Sequence, residues 1–355
     1  MAHNRFRDSM VRGGHYAQRD PLLPKARWVS ETYPAKSLSA GVHRLAGYFM
    51  CDRFINELRP YTRKIGLEVE TLFIDRTSGR PICRETSQKM LLRLVSSSAW
   101  KIKEIKGDTI VRLAQAESTL IFDLGWNNVE LVTPTWPADR FLFEGLAWTN
   151  ARLTELYAAA EYYNARPAKT CYDGHADLDT LVMPDERDQI WTELDGPILC
   201  SLGHIASVHV NIDLKSMSEG FEFIKQLNKF YKDHDWPPKK VREIWERYIA
   251  KSYAEYEPTR YGPPPETRSD YLRQLAGYKV MMNTSRDGEL QRMTKAETFY
   301  QIPIVDYELF VRSVWWWNRL RVRNNHLVLE ARGIPRGNDT HLRRDVADVL
   351  SLLDL

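Results

Sequence analysis

Two carboxylates stand two residues apart in an apolar stretch of the chain: Glu68 and Glu70, within residues 64–75. The stretch alternates like a β-strand, and side chains two positions apart on a strand point to the same face. Two negative charges about 7 Å apart or closer repel each other unless a cation compensates them. A hard divalent cation such as Mg²⁺ prefers oxygen ligands. Taken alone, this strand predicts either a metal site or a solvent-facing surface whose charges are hydrated.

Four other predicted strands carry acidic or metal-competent side chains on one face and apolar residues on the other. They are residues 119–123 with Asp123, residues 129–133 with Glu130, residues 205–213 with His209 and Asn211, and residues 327–332 with Glu330 and Arg332. Helices would cover the apolar face of such a sheet. The pattern predicts an α+β fold in which a curved, mostly antiparallel sheet forms an open, acid-lined bowl and helices pack on its outer face.

Acids that converge in one bowl cannot all ionise without compensating positive charge. About two or three Mg²⁺ or Mn²⁺ ions, bridged by phosphate oxygens, would supply that charge. The candidate metal ligands are Glu68, Glu70, Asp123, Glu130, His209 and Glu330. Arg332 would pair with phosphate in the bidentate manner that a guanidinium allows. For His209 the alternative is a buried strand histidine whose nitrogens are satisfied by neighbours.

Together, the motifs resemble the glutamate–cysteine ligase (carboxylate–amine ligase) group of the glutamine synthetase-like superfamily. The resemblance lies in residues 65–70 (G-x-E-x-E type), 123–131 (E-P-G-G-Q-x-E-L hairpin), 206–213 (V-H-V-N-x-D type) and 329–333 (L-E-x-R-G type). Each motif is weak, but four in the family's order are fairly specific. The resemblance extends over about residues 64–339 and implies a glutamine synthetase-like catalytic domain. Residues 221–293 align poorly with the family's substrate-binding region, so the amino acid substrates are not carried over.

The resemblance also implies an activity, the ATP-dependent formation of an amide bond. A substrate carboxylate attacks the γ-phosphorus of ATP, which gives an acyl phosphate and ADP, and an amine then displaces phosphate. The implied cofactors are ATP and Mg²⁺, and the implied substrates are a glutamate-type amino acid and an amine, which could belong to a peptide. The implied roles are catalytic for Arg332 and Glu70 and nucleotide-binding for Arg332 and Asn211. Apart from the resemblance, Arg323 is a candidate for nucleotide binding and Arg260 a candidate for binding a substrate carboxylate.

Two other functions stay open at this point. One is a guanidino-type kinase of the same superfamily, which would consume ATP without an amine acceptor for an acyl group. The other is a non-catalytic relative that binds a nucleotide or a partner protein, for instance through the arginines of residues 1–37. Arg319, Arg321 and Arg323 alternate just before the last strand, and they would either reach phosphate or a substrate carboxylate or form a solvated basic face.

The composition of the 355-residue chain is that of an ordinary globular protein, with 43% apolar and 27% charged residues. Its 50 basic and 47 acidic residues give a net charge of +3, which argues against a dedicated nucleic-acid binder. No apolar run approaches the length of a membrane span, and residues 1–20 lack the apolar segment of a secretory signal. The cysteines lie far apart, as expected for reduced thiols rather than a zinc site. They are Cys51, Cys83, Cys171 and Cys200. We expect a cytoplasmic protein without nucleic-acid or membrane partners, and its oligomeric state stays open.

Helical periodicity and turn signals predict one continuous domain over residues 38–355, preceded by a loose arm, residues 1–37. Predicted helices cover residues 38–58, 88–97, 139–163, 218–231, 237–256, the first part of 270–282, 307–319 and 341–353. The residues 106–108 predict a hairpin turn between two strands. The tryptophans at 315–317 predict core packing rather than a platform for a ligand, because three consecutive helical residues cannot face one way.

Overall fold

A computed structural model gives the structure of the chain. It describes residues 38–50, 61–174, 189, 202–251, 266–278, 280, 282–284, 290–293, 298–301, 307–312, 314, 316–323 and 326–355. The predicted arm (residues 1–37), Cys51, Cys200, Arg260 and Trp315 lie outside these residues. The division into an arm and a single domain therefore stays a prediction.

Ten strands of the described residues form one sheet, and every strand pair in it is antiparallel. Its strands are β1 (Lys64–Asp75), β2 (Lys101–Lys106), β3 (Thr109–Gln115), β4 (Ser118–Phe122), β5 (Asn128–Val132), β6 (Trp136–Pro137), β7 (Ala165–Pro167), β8 (Ser207–Asp213), β11 (Asn318–Arg323) and β12 (His326–Pro335). They lie in the order β11-β12-β8-β1-β5-β4-β3-β2, with β6 and β7 also paired to β1. A separate hairpin joins β9 (Met282–Thr284) to β10 (Leu290–Arg292). The predicted α+β class with a mostly antiparallel sheet is confirmed.

The helices cover the sheet and one another. They are α1 (Leu38–Met50), α2 (Arg84–Ser97), α3 (Leu146–Tyr162), α4 (Met217–Asp233), α5 (Lys239–Lys251), α6 (Arg268–Ala276), α7 (Tyr307–Arg312) and α8 (Asp339–Leu352). Helix α4 begins at a good cap, since the Ser216 side chain accepts a hydrogen bond from the Glu219 amide. It packs on β11 and β12, while α2 packs against α3. No helix in the described part of the chain is long and apolar enough to cross a membrane.

The first strand lies at the centre of the sheet and is buried along almost its whole length. Every residue from Ile65 to Ile74 is buried, on both faces of the strand. Glu68 and Glu70 are 6% and 5% exposed. The interpretation of this strand as a solvent-facing surface with hydrated charges is therefore wrong, because neighbouring elements cover both of its faces.

The predicted helix over residues 307–319 is wrong beyond Arg312, where α7 ends. The segment from Asn318 onward instead forms β11, which pairs with β12 in a register that sets Arg319 opposite Glu330. Trp316 is buried and packs its ring against Tyr271 at 5.0 Å between centroids, which confirms the expected core packing for this tryptophan. The hairpin predicted at residues 106–108 is confirmed, and Gly107 adopts the positive φ that such a turn requires.

Candidate active site

Four neighbouring strands, β5, β1, β8 and β12, bring residues of all four motifs together. The pairing of β1 with β5 sets Glu70 opposite Glu130, and the pairing of β1 with β8 sets Glu68 opposite His209. On the far side of β8, β12 sets Glu330 opposite Asn211. Side chains that face each other across antiparallel strands have Cβ atoms about 4.5–5.5 Å apart. Residues separated by up to 262 positions in the chain therefore become neighbours on one face of the sheet.

The predicted metal ligands fall into two groups rather than one. In each group, one ligand atom per residue lies within 4.8 Å of the others. The first group is Glu68, His209 and Glu330, which we call the arginine-paired cluster for the reason given below. The second is Glu70, Asp123 and Glu130, which we call the carboxylate cluster. All six predicted ligands are thus brought together in threes, and their role as metal ligands stays a prediction.

Arginines from β11 balance the charge of the arginine-paired cluster. Arg319 donates from Nε to Glu330 and is 6% exposed. Arg321 lies 3.3 Å from the other oxygen of Glu330, and Arg323 donates to Glu68 Oε1 at 2.8 Å. Asn211 also donates to Glu68 Oε1, at 3.3 Å. Arg319 and Arg321 do not form the solvated basic face that the sequence left open, because both are buried against these acids.

The pKa values of this cluster follow from that pairing. Burial alone would raise the pKa of Glu330, but Arg319 and Arg321 outweigh burial and hold it well below its usual range. For Glu68, burial is likewise outweighed by Arg323 and by the hydrogen bond from His209, so its pKa is lowered. Burial lowers the pKa of Arg321 to about 10, against the charge of Glu330. Both acids are therefore carboxylates with cationic partners near neutral pH.

The carboxylate cluster has the opposite electrostatics. Burial, followed by the charge of Asp123, raises the pKa of Glu70 to about 7. Burial and then the charges of Glu68, Asp123 and Glu70 raise the pKa of Glu130 well above its usual range. Ser207 donates its amide and hydroxyl to Glu70 Oε2, at 2.6 and 3.0 Å, and lowers that pKa only in part. Three carboxylates in so small a volume repel one another, and a bound divalent cation would relieve that repulsion.

His209 joins the two clusters. Its Nδ1 lies 2.9 Å from Glu68 Oε2, and its Nε2 lies 2.8 Å from Ser207 Oγ and 3.3 Å from Glu70 Oε1. Burial lowers its pKa, but the charge of Glu70 and the hydrogen bond to Glu68 outweigh burial and raise it. Both ring nitrogens have protein partners, which is the arrangement expected of a satisfied buried histidine. Its role as a metal ligand remains a prediction.

A tightly held turn positions Asp123 at the end of β4. The Asp123 amide donates to the Asn128 carbonyl at 3.1 Å, closing the β4–β5 hairpin. Asn127 donates to Asp173 at 2.9 Å, and Asn128 donates to the Ile205 carbonyl at 3.0 Å. At Gly125 a Cβ atom would come within 2.9 Å of the Gly203 carbonyl oxygen, so a side chain there would push the turn outward. The turn thus fixes Asp123 against the strands that carry Glu70 and Glu130.

A pocket opens beside the carboxylate cluster, and the empty space between its walls is about 640 Å³ when the open solvent at its mouth is included. Glu70, Asp123, Ser207, His209 and Arg332 form its polar wall. Arg332 follows Glu330 by two positions on β12, so the structure places this predicted phosphate partner at the pocket. Asn211 and Arg323 contact Glu68 in the neighbouring cluster instead, and their predicted nucleotide-binding role stays a prediction.

Several residues of the site could not be assigned from sequence reasoning. The buried pairing of Arg319 and Arg321 with Glu330 was missed, although their alternation with Leu320 and Val322 is the period of a strand. The hydrogen bonds from Ser207 to Glu70 were also missed. The sequence pattern indicated only that Ser207 shares a strand face with His209. Trp317 and Trp245 line the pocket, and nothing in their spacing indicates it.

Stability of the metal-free protein is expected to fall as pH rises, because of Glu70. Its pKa is raised from 4.5 to about 7, so between these values the folded state binds more protons than the unfolded state. The free energy of unfolding should therefore drop by roughly 1–3 kcal/mol from about pH 5 to about pH 7.5. Glu70→Gln should remove the part of the drop that comes from Glu70 and leave the part that comes from Glu130, whose pKa is also raised. Denaturant unfolding in a chelator at both pH values checks this, and an equal drop in both proteins would contradict it.

No known protein-family model matches the chain, and no curated protein matches it either. Among solved structures, the chain is similar to the ligase PafA in complex with the prokaryotic ubiquitin-like protein Pup (TM-score 0.33, 12% identity, 82% of this chain and 46% of that one). It is also similar to Plasmodium falciparum glutamine synthetase, with a TM-score of 0.32 and 11% identity over 90% of this chain and 55% of that one. A third similar structure is the glutamate–cysteine ligase of Francisella tularensis in complex with AMP, with a TM-score of 0.36 and 10% identity over 84% of this chain and 67% of that one.

These structural neighbours are a ligase of Pup, a glutamine synthetase and a glutamate–cysteine ligase. The chain spans about half the length of the first two, 46% and 55%. TM-scores this low carry no argument for the activity of this chain. The functional conclusion depends instead on the geometry of its own residues.

Proposed function

We propose that this chain is an ATP- and Mg²⁺-dependent ligase that joins a carboxylate to an amine through an acyl phosphate. The supporting observation is the carboxylate cluster of Glu70, Asp123 and Glu130, two of whose members, Glu70 and Asp123, line the same pocket as Arg332. Their strands carry, in order, the motifs that resemble the carboxylate–amine ligases. Carboxylates that can bind a metal ion, next to an arginine that can bind phosphate, suit a nucleoside triphosphate with its bound Mg²⁺.

The donor set of the carboxylate cluster fits Mg²⁺. All three side chains offer carboxylate oxygens, the ligand type that this ion prefers, and their ligand atoms lie within 4.8 Å of one another. The raised pKa values of Glu70 and Glu130 show that the cluster carries more acid than its surroundings balance. Bound there, the ion would neutralise the repulsion between a triphosphate and an incoming carboxylate. The arginine-paired cluster already has its cations, so we place the first metal position at Glu70, Asp123 and Glu130.

The proposed reaction has two balanced steps. A substrate carboxylate oxygen attacks the γ-phosphorus of ATP, the bond from that phosphorus to the bridging oxygen breaks, and ADP leaves with its electron pair. The amine nitrogen then attacks the acyl carbon, the carbon–oxygen bond breaks, phosphate leaves, and the nitrogen loses a proton to water. Arg332 would stabilise negative charge on the transferred phosphoryl group. Arg323 and Asn211 would act on the nucleotide through Glu68, to which both donate hydrogen bonds.

The identity of the two substrates is the finer part of the proposal. The resemblance names a glutamate-type acid, and glutamate is therefore the reference substrate in any test. The amine could be a small molecule or could belong to a peptide. Arg260, the proposed partner of a substrate carboxylate, lies outside the described residues.

The purified protein is expected to release phosphate and ADP from ATP only when Mg²⁺, a carboxylic acid and an amine are all present. A phosphate-release screen over pairs of acids and amines checks this, with hydroxylamine as a small common amine. ADP formed at the same rate without any amine, together with a stable phosphorylated product, would indicate the guanidino-type kinase instead. Mg²⁺-dependent binding of ATP in calorimetry without any turnover would indicate the non-catalytic relative. Either result would contradict the ligase.

A further inference from the structure

The pocket beside the carboxylate cluster has a second wall of very different chemistry. Besides the polar side chains, large apolar ones from four separate parts of the chain line the pocket. They include Leu202, Pro237, Val241, Trp245, Trp317 and Ile334. An apolar lining with a few convergent polar groups is typical of small-molecule sites. The apolar wall therefore needs a ligand group to cover it when the polar wall is engaged.

We propose that the carboxylic acid activated at this site carries a bulky apolar body, preferably an aromatic ring, rather than the second charged end of glutamate. The proposal rests on the ligase function proposed above and names the class of its acid substrate. The reacting carboxylate lies at the polar wall, by Arg332 and the carboxylate cluster. The body of the molecule lies against Trp317 and Trp245.

The charges of the pocket support a substrate with one carboxylate. Glutamate bears an α-carboxylate and an α-ammonium in addition to its reacting carboxylate, and each would need a partner once buried. Arg332 is the one arginine among the described residues that line the pocket, and the proposed reaction uses it at the phosphoryl group. Arg319, Arg321 and Arg323 are held by Glu330 and Glu68 in the other cluster.

The apolar wall is held firmly next to the polar one. Trp317 packs edge-on against the buried ring of Tyr231, with 6.3 Å between ring centroids. Its backbone carbonyl accepts a hydrogen bond from the amide of Arg332 at 2.7 Å. A Cβ atom at Gly333 would come within 2.5 Å of the Tyr231 ring, so this close approach depends on glycine. The tryptophan and the arginine are thus fixed to one another, as the body and head of one ligand would require.

The test compares acids in the Mg²⁺–ATP reaction with hydroxylamine as the amine, measuring the hydroxamate formed. We expect kcat/KM for 3-phenylpropionate to exceed that for L-glutamate by about tenfold or more, the discrimination that an apolar pocket commonly gives. Trp317→Ala should raise KM for 3-phenylpropionate by about tenfold with little change in kcat and no change in KM for ATP. Trp317→Phe should have a KM for 3-phenylpropionate close to that of the wild type. Trp245→Leu, on a different element, should act in the same direction as Trp317→Ala.

Two results would overturn the proposal in a protein that turns over acids. One is a preference for glutamate over every apolar acid. Another is a rise in KM for ATP, rather than for the acid, in Trp317→Ala, since the wall would then hold the adenine base. A protein that turns over no acid would remove the ligase function itself, and binding of the acid then decides the proposal. Quenching of tryptophan fluorescence by 3-phenylpropionate but not by glutarate would still support the apolar acid site, provided that Trp317→Phe loses it. Absence of that quenching would overturn the apolar acid site as well.

Discussion

Replacing Glu330 by glutamine is expected to lower the free energy of unfolding by about 3–5 kcal/mol. Glu330 is 1% exposed and accepts hydrogen bonds from Arg319 and Arg321, which are themselves buried. Glutamine keeps the size of the side chain but removes its charge, so two guanidinium groups stay buried without their carboxylate. Removing one partner of a buried ion pair leaves the full cost of the other partner's burial. Urea unfolding of both proteins measures the effect.

Glu308 supplies the matched control. It is the other acidic partner of Arg321, at 3.8 Å, but its side chain is 56% exposed. Glu308→Gln is expected to change stability by less than about 1 kcal/mol, as for other exposed pairs. A loss of less than 1 kcal/mol in Glu330→Gln as well would show that Arg319 and Arg321 do not depend on Glu330.

Replacing Glu130 by glutamine is expected to abolish most of the ligase activity without destabilising the protein. Loss of a carboxylate from the carboxylate cluster should lower kcat/KM by at least about 100-fold, since even changes around metal ligands cost 10–100-fold. Stability at pH 7.5 in a chelator should stay the same or rise. The pKa of Glu130 is raised by burial and by three neighbouring acids, so its ionisation opposes folding.

The same substitution at Glu104 controls for a loss of acid anywhere in the sheet. Glu104 lies in β2, at the far edge of the same sheet, and pairs with Lys106 at 3.5 Å. Glu104→Gln should leave kcat/KM unchanged. Activity of Glu130→Gln within about fivefold of the wild type would contradict a metal-binding role for Glu130, because a lost ligand costs more than that. Loss of an acid is thus expected to lower the stability of the protein in the arginine-paired cluster and to lower its activity in the carboxylate cluster.

The parts of the site that were predicted from the sequence are those that depend on local periodicity. Glu68 and Glu70 lie on one face of a strand because strands repeat every two residues, and this holds whatever the strand packs against. The hairpin at residues 106–108 is specified by its own turn residues. Asp123 and Glu130 follow from the same local pattern, so the structure gathers them as expected.

The parts that were not predicted depend on contacts between distant segments. The sequence pattern predicted a helix over residues 307–319, whereas pairing with β12 made Asn318–Arg323 a strand. That pairing decides that Arg319 and Arg321 bind Glu330, and hence that the six predicted ligands divide into two groups with opposite electrostatics. Local propensity cannot report such a division, because it arises from which acid meets which arginine across the sheet.

The most direct measurement is anomalous diffraction from crystals of the protein soaked in Mn²⁺, with data collected near the manganese edge. The account predicts a peak bounded by the side chains of Glu70, Asp123 and Glu130, and loss of that peak in Glu130→Gln crystals. A peak found only among Glu68, His209 and Glu330, or no peak at either cluster at millimolar Mn²⁺, would contradict it.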